Sequence, residues 1–125
     1  MKKLHFALIG CGRISKNHIA AAIANPEIMD LAVVCDPVLG NAEKKANDYF
    51  EATGVKPAVY ADYKQALDEQ NIDCCAIATE SGYHAEIALY CIRRGKHVLV
   101  EKPMALSTAD AEQMIREAKE QGVTL

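Results

Sequence analysis

The sequence has no surplus of positive charge, no C-x-x-C pair and no apolar run long enough to span a membrane. Lysine and arginine number 14 against 17 aspartate and glutamate, a net charge of −3. The chain therefore offers no basic footprint for a polyanion, and no nucleic-acid partner is expected. No segment approaches the roughly 20 apolar residues of a membrane span, so no membrane partner is expected either. The five cysteines (Cys11, Cys35, Cys74, Cys75 and Cys91) are an odd number, and most fall in apolar runs where a thiol serves as a small core residue. They read as reduced, inert thiols of a cytoplasmic protein, with no metal site among them. No secretory leader is expected either. Met1-Lys2-Lys3 before an apolar run ending Leu8-Ile9-Gly10-Cys11 imitates a lipoprotein processing site. However, His5 interrupts that run, a leader core needs about 7–15 apolar residues, and processing at Cys11 would discard a strand the domain needs.

What the sequence does contain is an alternation. At 125 residues, half of them hydrophobic, the chain can build one domain with a real core but not two. Leu4 to Ile9, Leu31 to Cys35, Ala58 to Tyr60, Cys74 to Ala78 and His97 to Val100 read as strands. Between them apolar residues return at helical spacing: Ile19 with Ile23; Ala42, Ala46, Tyr49 and Phe50; Tyr63, Ala66 and Leu67; Ile87, Ala88 and Cys91; Ala111, Met114, Ile115 and Ala118. Strands alternating with helices predict an α/β fold, a doubly wound parallel sheet with helices on both faces. The helix ends are marked locally: Asp62 with Gln65 as a capping box, Ser81 and Ser107 as N-caps, and Gly54, Gly95 and Gly122 after the last periodic residues. Arg93 and Arg94 fall in a last turn, where positive charge suits the helix dipole, a structural role. Val123-Thr124-Leu125 reads as the opening of a sixth strand, so the chain is expected to be the first domain of a longer protein.

The residues with chemistry gather at strand ends. Leu4 to Ile9 runs into Gly10-Cys11-Gly12-Arg13-Ile14-Ser15 and a helix begins at once. In that context G-x-G-x-x-S reads as a phosphate-binding turn: Gly10 allows the bend, Gly12 lets backbone approach a pyrophosphate, and the third small residue lets helix and strand pack closely. Ser15 stands where Gly or Ala is usual, its hydroxyl expected to bond back to the helix. The pyrophosphate would lie against the free N–H groups and positive dipole end of the first helix. A glycine turn alone is weak evidence, but the second strand ends in Asp36, a carboxylate placed to accept the adenosine ribose hydroxyls. Pro37 follows with no lysine or arginine to take a 2′-phosphate, which favours NAD over NADP. Asp36-Pro37 could also be a plain turn. Thr79 and Glu101-Lys102 close the next two strands, so four features share one edge of one sheet. Lys102 is the candidate catalytic group: its ammonium can stabilise charge on a reacting oxygen, with Pro103 holding the backbone extended. His84 could contact a nicotinamide or merely cap and pack. His18, on the first helix, reads as structural, with a local hydrogen-bond partner.

The strings ALIGCGRISKNH (7–18), VVCDP (33–37), ATESGYHAEIAL (78–89) and GKHVLVEKPMALS (95–107) resemble the N-terminal domain of the glucose-fructose oxidoreductase and inositol dehydrogenase family (Gfo/Idh/MocA). The resemblance covers the whole chain and is most specific at Gly95 to Pro103. It implies a Rossmann-type domain of an NAD(P)-dependent dehydrogenase. A larger second domain would follow, supplying homo-oligomer contacts (dimer or tetramer) and further catalytic groups, an aspartate and a histidine. Carried over by position, Gly10, Gly12, Arg13 and Ile14 would meet the pyrophosphate and Asp36 the ribose. Thr79 and His84 would border the nicotinamide ribose, and Glu101 with Lys102 would face nicotinamide and substrate. Glu80 departs from the family, where proline or asparagine is more usual. The wording of residues 10–18 and 93–107 is most similar to members that oxidise sugar nucleotides for polysaccharide synthesis; a sugar or another polyol is the alternative substrate. A non-catalytic NAD-binding sensor would share the turn and Asp36. An S-adenosylmethionine methyltransferase on a similar sheet would have no use for Glu101-Lys102-Pro103.

Overall fold

Strand β1 (Leu4–Ile9) occupies the middle of the sheet and is fully buried from Phe6 onward. In the computed structural model, which describes residues 2–125, four parallel strands join it: β2 (Met29–Cys35), β3 (Ala58–Tyr60), β4 (Cys74–Ile77) and β5 (His97–Val100). Their order is β3-β2-β1-β4-β5. The chain builds outward from β1 through β2 to β3, then returns and builds the other side through β4. That reversal leaves a crevice outside the carboxyl ends of β1 and β4, where open parallel sheets bind their ligands.

Both faces of the sheet are covered, as the alternation predicted. Helices α1 (Ser15–Ala24) and α2 (Leu39–Thr53) lie on one side, and α3 (Tyr63–Glu69), α4 (His84–Arg93) and α5 (Thr108–Gln121) on the other. Successive strand residues point to opposite faces. Phe6 and Leu8 therefore meet Ile19, Ala22, Ala42, Ala46 and Tyr49, while Ala7 and Ile9 belong to the cluster of Leu67, Ile87, Ala88, Ile92 and Met114. One irregularity interrupts the period. The β1–β2 register shifts between Phe6 and Ala7, so Leu31 and Val34 reach the same face although they are three residues apart.

Several local expectations change. Asp62 caps α3 by accepting the Lys64 N–H at 2.9 Å, but among the described residues Gln65 makes no return bond, so the capping box is only half formed. Ser81 is not an N-cap; it opens a 3-10 turn (Ser81–Tyr83), and α4 begins at His84. Ser107 does cap α5, accepting the Asp110 N–H at 3.1 Å. Phe50 and Ile115, assigned to buried faces, are 47% and 55% exposed. Each directly follows a residue that takes the core position, Tyr49 for one and Met114 for the other. Val123–Leu125 forms no regular strand but follows the β5 edge, with the Val98 N–H donating to the Thr124 carbonyl at 2.9 Å.

The helix-end arginines are structural, as expected. Arg93 grips Glu117 of α5 with Nε and Nη2 at 2.7 and 3.0 Å, and Arg94 pairs with Asp68 while lying 4.3 Å from the centre of the Tyr90 ring. Bonding from Arg93, and then from Gln113, holds the Glu117 carboxyl down to about 2. A depressed carboxylate stabilises the fold fully above its ordinary range and loses that contribution as pH falls toward about 2.

The core assignment predicts a contrast between neighbouring helix positions. Ile92→Ala, at a fully buried site, should cost about 2–5 kcal/mol in urea denaturation, a large share of a small domain's stability. Ile115→Ala on the exposed side of α5 should stay within about 0.5 kcal/mol of the parent.

Candidate functional site

The crevice is built on a glycine that has no substitute. Gly10 has φ +97° and its N–H donates to the Cys35 carbonyl at 2.8 Å. A Cβ there would stand 2.6 Å from the Ala78 carbonyl carbon and 2.7 Å from the Thr79 nitrogen, so only glycine lets β1 and β4 end side by side. Gly12 is the opposite case, since a Cβ there would meet nothing within 4 Å. The space over Gly12 is room for something other than protein. Ser15, fully buried, donates its hydroxyl to the Gly12 carbonyl; the expected back-bond therefore forms to the turn and braces it. Ile14 caps α1 without a side-chain bond, and the first turn carries no acidic residue. The Ser15 and Asn17 N–H groups donate to the Gly12 and Ile14 carbonyls at 3.2 Å, and the positive dipole end of the helix is left open to an anion.

Asp36 closes the same crevice from β2. Its Oδ2 accepts the Cys11 N–H at 2.9 Å and its Oδ1 the Val38 N–H at 2.8 Å. The carboxylate is thus held by backbone on both oxygens, and each oxygen keeps acceptor capacity for a vicinal diol. Gly10, Gly12, Asp36 and Thr79 line one cleft of about 700 Å³, within the usual size for a small-molecule site. Glu80 and Glu86 add two more carboxylates to the walls, and among the lining residues there is no lysine or arginine. Such walls accept a neutral ribose and repel a 2′-phosphate. The residues present therefore fit a dinucleotide: an uncapped helix end for its pyrophosphate, a bare glycine beneath it and a fixed carboxylate for a ribose. Asn41, Tyr83 and Glu86 also line the cleft, and the sequence reading missed all three. They sit inside helical patterns or turns with no motif to mark them.

The thiols offer no chemistry here. Burial, reinforced by the Asp36 charge, pushes the Cys11 thiol up to about 12, and burial pushes Cys74 to about 11. Cys35 rises by burial, and Cys75 by its bond to Cys91 and by burial. Raised in this way, these four are not ionised near neutrality and are not ready nucleophiles. Among the described residues no group of three or more His, Cys, Asp or Glu could hold a metal ion.

Other candidates lie away from the cleft walls. Arg13 is exposed and Ile14 is 42% exposed on the approach to α1. His84, expected to border a nicotinamide ribose, is instead 1% exposed. Its Nδ1 is 2.8 Å from the Pro103 carbonyl oxygen and its Nε2 is 2.9 Å from that of Thr79. With both ring nitrogens facing protein carbonyls, the buried ring lies between the β4 end and the segment after β5 rather than facing a ligand. Glu101 continues the β4 ladder by donating its N–H to the Ile77 carbonyl at 3.0 Å. Lys102 is exposed and makes no hydrogen bond or ion pair among the described residues. His18 does have a partner, but not a local one: its Nε2 lies 2.8 Å from Glu101 Oε1.

Residues 4–125 match the family model described as an oxidoreductase family with an NAD-binding Rossmann fold, Gfo/Idh/MocA. The chain belongs to this family. It is 30% identical over 122 residues to myo-inositol 2-dehydrogenase of Thermotoga maritima, covering 98% of this chain and 35% of that protein. Among solved structures, the WlbA dehydrogenase of Bordetella pertussis in complex with NADH and UDP-GlcNAcA superposes with a TM-score of 0.83 at 34% identity, covering 98% of this chain and 36% of that one. KijD10, a 3-ketoreductase of Actinomadura kijaniata in complex with TDP-benzene and NADP, gives 0.82 at 26% identity over 99% of this chain and 37% of that one. The chain therefore spans about a third of the length of the relatives it matches. It is an NAD-binding Rossmann domain, as its resemblance implied.

The two glycines should separate fold from binding. Gly12→Ala should leave the thermal midpoint almost unmoved yet weaken NADH binding by on the order of tenfold, about 1.4 kcal/mol. Gly10→Ala should lower the midpoint itself, because its Cβ meets backbone. Calorimetry and an NADH titration on each variant check both.

Proposed function

We propose that this chain is the cofactor-binding portion of a dehydrogenase that acts on a hydroxyl carbon of a sugar, sugar nucleotide or polyol and uses NAD in preference to NADP. Support comes from Gly10, Gly12, Asp36 and Thr79 sharing the crevice where strand order reverses, with Glu101-Lys102 at the next strand end. The assignment of residues is as follows. Gly12 and the first turn of α1, with Arg13 and Ile14 at its approach, receive the pyrophosphate. Asp36 accepts the adenosine ribose hydroxyls, and the carboxylate walls select against a phosphorylated ribose. Thr79 and Glu101 flank the nicotinamide end.

When bound, the nicotinamide supplies the acceptor or donor of hydride. Lys102, exposed and unpaired among the described residues, donates a hydrogen bond to the substrate oxygen and stabilises the negative charge that grows there. The proton leaving that oxygen passes to groups of the second domain that we infer beyond this chain, together with the substrate pocket and homo-oligomer contacts. The preference for a sugar nucleotide rests on the likeness to WlbA, whose structure holds UDP-GlcNAcA. Free, unpaired cysteines support a cytoplasmic setting, and the net charge of −3 supports a small-molecule rather than a nucleic-acid partner. No helix among the described residues is long and apolar enough to cross a membrane.

Lys102→Ala in the full-length protein tests this, with UDP-GlcNAcA and myo-inositol assayed in parallel by NADH formation. Turnover should fall on the order of 100-fold while the KM for NAD stays within about twofold. Unchanged turnover would remove the lysine from the chemistry.

A further inference from the structure

The segment leaving β5 consists of an anchored residue, a free one and another anchored one. Glu101 is held through its backbone by Ile77 and through its carboxylate by His18 of α1, at 2.8 Å. The Pro103 carbonyl is held by His84, also at 2.8 Å. Between them Lys102 is exposed and without a protein partner among the described residues.

The His18–Glu101 contact joins residues 83 positions apart and links the two halves of the site. The first turn of α1 continues the glycine turn that would meet the pyrophosphate, and the end of β5 carries the lysine. The two side chains are 12% and 28% exposed, so solvent and salt screen the contact less than they would a surface pair. The residues α1 buries against the sheet are Ser15, Ile19 and Ala22, and His18 stands beside them with its ring mostly covered. What the imidazole adds is a directed N–H for one carboxylate oxygen. It also occupies the nearest anion in sequence that could compete for the Lys102 ammonium.

We propose that His18 is a positioning residue for Lys102: by holding Glu101 from α1, it fixes the backbone on which the lysine stands and keeps the ammonium free. The inference rests on the reading of Lys102 given above.

Backbone 15N relaxation on the 125-residue chain, whose core is covered on both faces by its own helices, tests it without any substrate. In His18→Leu, order parameters at Glu101 and Lys102 should drop from rigid values near ~0.85 to below about 0.6, with β1 and β4 unchanged. His18→Gln, which keeps an N–H donor, should restore them. Glu101→Ala should loosen Lys102 equally, and His18→Leu added to it should change nothing more, since coupled partners are not additive. In the full-length enzyme, His18→Leu should lower kcat by on the order of 10- to 100-fold at nearly constant KM for NAD. Unchanged order parameters in His18→Leu, or loosening spread equally through α1 and β1, would overturn the proposal. Failure of the underlying reading would look different: local loosening in His18→Leu, but full turnover in Lys102→Ala.

Discussion

Gly10 lies against the Ala78–Thr79 peptide so closely that a Cβ would stand 2.6 Å from the Ala78 carbonyl carbon. Because of that contact, β1 and β4 can end as immediate neighbours, with Ala78 N–H donating to the Ile9 carbonyl at 2.8 Å and Gly10 N–H to Cys35 at 2.8 Å. Three strand ends, those of β1, β2 and β4, are thereby drawn to one point. The crevice, the aim of α1 across it and the reach of Asp36 to the Cys11 amide all follow from that approach. A bulkier residue would part the strands and dissolve the site along with the fold.

Within that frame the site works by fixed electrostatics rather than by flexible charges. The walls carry Asp36, Glu80 and Glu86 and no lining lysine or arginine, so the lining itself draws an anion only toward the uncapped end of α1. In the proposed reading the pyrophosphate lies at the helix end and the ribose at the acidic wall, a separation that would disfavour a third phosphate. Glu80 strengthens the acidic side because it stands on the cleft wall.

The parts of this arrangement that depend on neighbours in sequence were legible in the sequence. The glycine turn, the Asp36 strand end and the periodic face of α4 are local patterns enforced by backbone sterics and helical period, and each formed as read. Long-range pairings were not legible. His18 was read as locally bonded, yet its partner is Glu101, and nothing in residues 15–24 specifies what β5 places opposite them. His84 was read as a possible ligand contact, but only the return of the chain at Pro103 shows both its nitrogens occupied. Phe50 and Ile115 were placed inside because adjacent apolar residues both fit a helical stripe; tertiary packing takes only Tyr49 and Met114.

Titration of NADH and NADPH into the 125-residue chain tests the central claim most directly. The chain has no tryptophan, so no indole emission overlaps the nicotinamide signal. The account predicts saturable NADH binding, with NADPH weaker by at least about tenfold, or about 1.4 kcal/mol. Absence of NADH binding, or NADPH binding as tight as NADH, would contradict it.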